Sequence, residues 1–305
     1  MTTFMAMVLA AGYGTRLSPL TLELPKPLVP IGDRSLLAHV ALGLARAGAR
    51  RIVVNSHHLA SAVADEVDRL RQGELEGEPE VVHVHEPQIL GTAGGVANAA
   101  AALGPGDVVA VNGDILAELE LGALLRLHQH RRAFATLGTG PQLPCGQGTL
   151  GLAVDGAVVR LRGRVFGAEI SGADFLGAQV LSTRARAALP LSGCLVGDVY
   201  LPALARGETL VACAIAPQFR DIGTPAAYLD SNLAWLRERS LASYASPSAR
   251  VAREVTLVDT VVGADAEVTG TGELVRVVVW PGGKAVAPLR DAVVTPQRTV
   301  AIDAS

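Results

Sequence analysis

The chain has 305 residues, half of them hydrophobic and only 4% aromatic, with a formal net charge of −3. That apolar content supplies a large core and excludes a disordered chain, while scattered charge without a basic stripe argues against nucleic acid and acidic membranes as partners. The three cysteines, Cys145, Cys194 and Cys213, match neither a metal site nor a disulfide framework. They read as thiols of a reducing compartment. The first apolar run breaks at Gly12, too early for a signal peptide or a spanning helix, so the expected location is the cytoplasm.

In chain order, Phe4 to Leu9 reads as a buried strand, followed by a Gly-containing loop, Ala10 to Leu17. Pro19, Pro25, Pro27 and Pro30 keep the next stretch irregular. Leu36 to Ala47 has helical periodicity and stops at Gly48. Strands are expected at Arg51 to Asn55, Val81 to His85, Asp107 to Asn112 and Phe134 to Gly138. Helices are expected at Leu59 to Leu70, Thr92 to Leu103 and Leu121 to Arg131. This alternation predicts an α/β, Rossmann-like, mostly parallel sheet covered on both faces. Leu150 to Leu181 is strand-rich with Gly-containing loops and reads as a partly antiparallel insertion. Gly197 to Ala205 reads as helix, Thr209 to Ile215 as strand and Pro225 to Glu238 as a closing helix.

Around Ser240 to Ser248 the composition shifts to Ser, Ala and Pro. The expected division is therefore a catalytic domain over 1–240 and a small C-terminal domain over 245–305. Val251, Leu257, Gly263, Thr269, Val275 and Pro281 fall six apart among Val and Ala. A six-residue period of small and β-branched residues predicts a left-handed parallel β-helix, the competing possibility being a small antiparallel cap. An open coil end calls for a partner surface, so a homo-oligomer is expected through this region.

The chemistry-bearing segment is Leu9-Ala-Ala-Gly-Tyr-Gly-Thr-Arg-Leu17, with Pro25-Lys-Pro27 beyond it. Gly12 and Gly14, set after a buried strand, let successive backbone N–H groups approach phosphate oxygens. The segment is neither a dinucleotide fingerprint nor a Walker A loop. Only two of the 26 basic residues are lysines, Lys26 and Lys284. A lysine held between two prolines suggests that a compact ammonium is needed there.

These residues resemble the signature of the NDP-sugar pyrophosphorylase superfamily, L-A-A-G-x-G-T-R-L followed by P-K-P. Further landmarks follow in the family's order: Glu86-Pro-Gln-Ile-Leu-Gly-Thr-Ala-Gly-Gly95, Val111-Asn-Gly-Asp-Ile115 and Arg220-Asp-Ile-Gly-Thr-Pro225. The resemblance covers about residues 3 to 235, and the tail is similar to the β-helix extension of several members. Within the superfamily it resembles the branch of mannose-1-phosphate guanylyltransferases and N-acetylmuramate-phosphate uridylyltransferases.

The resemblance implies a sugar-1-phosphate nucleotidylyltransferase. A sugar 1-phosphate attacks the α-phosphorus of a nucleoside triphosphate and pyrophosphate leaves. Arg16 and Lys26 would be catalytic, neutralising charge on the phosphates. Asp114 and Asp221 would hold Mg²⁺. Leu9, Ala10, Ala11, Gly12, Gly14, Thr15, Glu86, Gly91 and Thr92 would line the nucleotide. Glu86 would face the base, and two adjacent donors on guanine favour GTP. Gly151 would lie against the sugar. Many members carry a Glu-Lys-Pro run contacting the sugar, but here Val159-Arg-Leu-Arg-Gly163 occupies that place. Glu169 is the substitute candidate. The histidine pairs offer no zinc spacing. A non-catalytic relative of the same fold is the alternative, although the matching catalytic positions are all filled.

Overall fold

The structure, a computed structural model, describes residues 3–73, 75–217 and 219–302. The chain forms two compact units, one of residues Met1–Gly12 and Leu37–Phe219, the other of Tyr13–Leu36 and Arg220–Ser305.

The first unit is built on the apolar runs of β1 (Phe4–Leu9), β2 (Ala49–Ser56), β3 (Glu80–His85) and β4 (Val108–Asn112). All four pair in parallel, with β1 between β2 and β4 and β3 outside β2. Such strands are buried on both faces, which is why they read as continuous Val, Ile and Ala rather than as an alternation. The crossovers are α1 (Leu36–Arg46), α2 (Ala60–Arg71) and α3 (Gly91–Asn98). Strand order therefore reverses between β1 and β4, where open α/β sheets bind ligands beyond their strand C-termini.

The sheet continues beyond α4 (Leu121–Arg131) with β5 (Ala135–Pro144), β6 (Leu150–Leu152), β7 (Val158–Leu161), β8 (Arg164–Val165), β9 (Ser171–Leu181) and β10 (Leu210–Ala214). The end of β9 runs antiparallel between β4 and β5, and β10 adds parallel to β5. The start of β9 carries β6, β7 and β8 as an antiparallel meander, the expected insertion. Met7, Val53, Ala110, Phe134, Leu181 and Tyr200 are among its core residues.

Two expected helices take other forms. Thr92 to Leu103 is interrupted at Ala99, which leaves the helical region at φ −83°, ψ 1°. Gly197 to Ala205 begins earlier, as a π-helix over Leu195–Tyr200, before an α turn at Leu201–Ala205. π-Helical turns recur at functional sites.

In the second unit, α5 (Pro225–Glu238) opens with Pro225 in its first turn and Thr224 as its cap, the Thr224 hydroxyl accepting from the Ala227 N–H at 3.2 Å. Beyond it the chain stacks in parallel coils: Arg250 pairs with Glu267, and Glu267 with Lys284. The antiparallel cap is thereby excluded, and this region is a β-helix-like stack closed by the antiparallel strand Thr299–Ala301. The six-residue reading needs a correction. Partners lie 17 positions apart through the first coils, shortening to 15 from the Leu274–Leu289 pair onward after a register shift, and the inward residues run Val251, Leu257, Val262, Val268, Leu274, Val279 and Ala285. One side of each 17-residue coil is a residue shorter, so a strict step of six drifts outward. Thr269 and Pro281 are consequently exposed.

No described helix is long and apolar enough to cross a membrane.

Candidate active site

Leu9 ends β1 opposite Asn112, the last residue of β4. The Gly113 N–H then donates to the Leu9 carbonyl at 2.9 Å, bringing Ala10 and Gly113 side by side. A Cβ at Gly113 would lie 3.2 Å from that carbonyl and 3.3 Å from the Ala10 Cβ, so the close approach favours glycine. Asp114 follows, half-buried, at the point where strand order reverses. The β1–β4 pairing thus sets Leu9 and Ala10 beside Asn112 and Gly113, with Ala11 and Gly12 next along one chain segment and Asp114 next along the other.

Glu86 joins this group from β3. It is 0% exposed, and its backbone N–H donates to the Ser56 carbonyl at 2.8 Å. Its Oε1 accepts from Asn55 Nδ2 at 2.6 Å and its Oε2 from the Leu90 N–H at 3.1 Å, at the start of α3. Asn55 Oδ1 in turn accepts from the Ala10 N–H at 2.7 Å. One chain of hydrogen bonds, Ala10–Asn55–Glu86–Leu90, therefore ties the loop after β1 to the N-terminus of α3. A buried carboxylate is tolerated here because it is hydrogen-bonded and sits at the positive end of a helix. Both carboxylate oxygens of Glu86 are engaged by the protein, which gives this residue a bracing role.

The small residues of α3 make the brace possible. A Cβ on Gly95 would fall 2.7 Å from Asn55 Nδ2 and 2.9 Å from Glu86 Oε1. Gly91 has φ +75° and abuts the Gly193 carbonyl. The Ala93 N–H donates to that carbonyl at 2.9 Å, and Thr92 Oγ1 accepts from the Leu195 N–H at 2.8 Å. Gly91 and Thr92 thereby dock α3 on the start of the π-helix.

Gly151 and Glu169 also meet. The Glu169 carboxylate lies over Gly151, where a Cβ has no room. It is held by Arg160 Nε at 2.7 Å and by the Gly146 N–H at 2.7 Å. These two donors keep the carboxyl below its usual range, Arg160 contributing most. Arg160, inside the run that replaces Glu-Lys-Pro, is thus the ion-pair partner of the substitute glutamate.

In the second unit, Gly14 adopts φ +63° and caps a short turn, Thr15–Leu17. Arg16 and Thr15 are exposed. The stem of Lys26 packs beneath Gly14, where a Cβ would stand 2.9 Å from the Lys26 Cβ, and Lys26 is only 7% exposed. Pro25 is extended and Pro27 lies in the turn Lys26–Leu28. The loop rests on α5: the Gly32 N–H donates to Asn232 Oδ1 at 2.9 Å, and the Tyr228 hydroxyl donates to the Pro30 carbonyl at 2.6 Å. Trp280 Nε1, from the coils, donates to that same hydroxyl at 2.9 Å. Burial pushes the Tyr228 hydroxyl pKa well up, keeping it a neutral donor. Asp221 lies on the short strand Arg220–Asp221, and its side chain is outside the described residues.

A family model described as nucleotidyl transferase matches residues 5–147. A putative mannose-1-phosphate guanyltransferase of Sulfolobus acidocaldarius is 30% identical over 277 residues, 89% of this chain and 74% of that relative. The chain belongs to the nucleotidyl transferase family, within the NDP-sugar pyrophosphorylase superfamily. The mannose-1-phosphate guanylyltransferase of Mycobacterium tuberculosis is 36% identical over 132 residues, a stretch covering 43% of this chain and 36% of that relative. Among solved structures, HddC from Yersinia pseudotuberculosis complexed with GMP-PN superposes with a TM-score of 0.62 at 22% identity. That superposition covers 77% of this chain and 100% of HddC, and it shows the shared fold.

The family signature covers residues that sequence reasoning found and passes over others that hold them. Asn55 was visible only as the polar end of the strand Arg-Ile-Val-Val-Asn, an amide after a fully apolar run. Tyr228 and Asn232 are one helical turn apart on α5, a polar pair inside an otherwise apolar face. Among the described residues, no cluster of three or more His, Cys, Asp or Glu is arranged to hold a metal. Mg²⁺ is commonly held by one or two carboxylates together with substrate phosphates, so a single aspartate at a strand end is a donor that fits it.

Proposed function

We propose that this protein is a sugar-1-phosphate nucleotidylyltransferase that makes an NDP-sugar and pyrophosphate, with GTP and mannose 1-phosphate as the favoured substrates. The observation that carries the reading is the junction of β1 and β4 at the strand-order reversal, with Ala10 beside Gly113 and Asp114 the next residue in the chain. The choice of guanine rests on the names of the relatives and on the GMP-PN complex of HddC, with Glu86 the residue that would face the base.

The sugar phosphate is ionised at neutral pH, so its attack on the α-phosphorus needs no general base. The P–O bond to the leaving group breaks as the new one forms, and pyrophosphate carries the electron pair away. The protein's task is to align the reacting groups and stabilise charge. In this reading, backbone N–H groups of Ala10 to Thr15 cradle the phosphates, Arg16 holds the departing pyrophosphate oxygens, and Lys26 sits near the reacting centre. Asp114 and Asp221 would hold Mg²⁺, which supplies electrostatic stabilisation of the phosphate oxygens. Gly151 and Glu169 would lie against the sugar, the charge of Glu169 matched by Arg160. Residues 1–240 form the catalytic domain and 245–305 a left-handed β-helical domain that joins copies of the chain in a cytoplasmic oligomer.

The test is pyrophosphate release with Mg²⁺, pairing GTP, UTP, dTTP, CTP and ATP with mannose-, glucose-, N-acetylglucosamine- and N-acetylmuramate-1-phosphates. Release that requires one triphosphate and one sugar phosphate together, and that Asp114→Ala abolishes, is the expected result. Nucleotide binding without release from any pair would move the assignment to a non-catalytic member of the fold.

A further inference from the structure

We propose that Glu23, clamped by Arg298 and Thr295, is a positioning residue that sets the shape of the loop carrying Arg16 and Lys26, and through it the affinity for triphosphate. The inference rests on the reading of that loop as the triphosphate site.

Glu23 stands between Arg16 and Lys26 in the chain. Its side chain is 5% exposed, and its Oε1 accepts from Arg298 Nε at 2.7 Å and from Thr295 Oγ1 at 2.7 Å. The donors are themselves fixed. Thr295 Oγ1 accepts from the N–H of Arg298 at 3.0 Å and of Gln297 at 3.3 Å, and the Thr295 N–H donates to the Arg298 carbonyl at 2.8 Å. The turn joining the last coil strand to Thr299–Ala301 is thus a preformed receptor aimed at one carboxylate oxygen.

A carboxylate is out of place in a loop meant to bind a polyanion. Unpaired, it would repel the triphosphate and compete for the two cations. Paired with Arg298 it is neutralised and becomes an anchor. The loop needs one, because residues 13–28 form three separate single turns among prolines, with no strand or longer helix to order them. Removing Arg298 leaves the buried Glu23 carboxylate uncompensated, a larger perturbation than removing both charges.

The experiment uses the full chain with Arg298→Ala, Arg298→Lys, Glu23→Gln and the double variant Glu23→Gln/Arg298→Ala. Two things are read: kcat and KM for each substrate in pyrophosphate release, and hydrogen exchange of peptides from residues 13–28 without substrate. Arg298→Ala is expected to raise the triphosphate KM about tenfold, with the sugar-phosphate KM within about twofold, and to speed exchange in the loop. Arg298→Lys should recover part of the loss and the double variant most of it, because the stranded carboxylate is then gone. Wild-type KM values and wild-type exchange in Arg298→Ala would overturn the proposal. So would an equal rise in both KM values that the double variant leaves uncorrected. Should Arg298→Ala not fold, Arg298→Lys and Glu23→Gln carry the same comparison. A wild-type chain that releases no pyrophosphate from any pair sinks the functional reading alone, and unchanged exchange then sinks the clamp separately.

Discussion

The two units hold their functional residues by opposite means. In the first, the loops are short and leave directly from buried parallel strands. Their positions follow from strand register, and a single buried hydrogen-bond chain, Ala10–Asn55–Glu86–Leu90, completes them. In the second, Arg16 and Lys26 lie on a long proline-rich segment with little regular structure. That segment is shaped by residues more than 190 positions away, on α5 and in the coils. A strand end is an economical place for a carboxylate or a phosphate-facing backbone, because the sheet already orders it. A cation on an irregular loop needs an external frame, and α5 and the coils supply one.

The most damaging test of this contrast removes the chemical groups while keeping their supports. Lys26→Met retains the stem packed beneath Gly14 and deletes the ammonium. Pyrophosphate release should fall by about 100-fold or more with little change in thermal midpoint. A large drop in midpoint would show that Lys26 is structural.

Breaking the brace of the first unit comes next. Asn55→Leu removes the acceptor of the Ala10 N–H and the donor to Glu86 Oε1 inside the core. A loss of about 3 kcal/mol in unfolding free energy is expected from denaturant titration. A loss below about 1 kcal/mol would mean that the hydrogen-bond chain contributes little beyond register.

In the second unit, Tyr228→Phe removes the shorter of two donors to the Pro30 carbonyl and strands the Trp280 N–H, and about 1–3 kcal/mol should be lost. Loop exchange over residues 13–36 should rise with it. Stability lost without any change in that loop would break the claim that α5 and the coils frame it.

The smallest effect is a pH dependence confined to the first unit. His128 is buried, its Nδ1 2.8 Å from Thr136 Oγ1, and desolvation lowers its pKa despite Asp107 nearby. The native state therefore binds its proton less readily than the unfolded chain does. The stability this gives is present above the unfolded pKa of about 6.5 and is lost as pH falls below it. His128→Gln should flatten that part of the curve between about pH 6.5 and 5. An unchanged slope would assign it elsewhere, with His83, also lowered by burial, the next group to replace.

The sequence by itself determined the alternation of strands and helices, the parallel sheet and the order of the family motifs, because these depend on local periodicity and on residues adjacent in the chain. The bounds of α4 and α5 were legible to the residue. The tertiary structure alone decided which polar groups meet. Asn55 with Glu86, Glu169 with Arg160 over Gly151, and Glu23 with Arg298 are hydrogen-bonded pairs that strand pairing and coil stacking create, and neither member of a pair announces the other. It also decided the inward register of the coils. A five-residue side among six-residue sides is invisible to a fixed period, since each turn is closed by pairing with the next rather than by its own sequence.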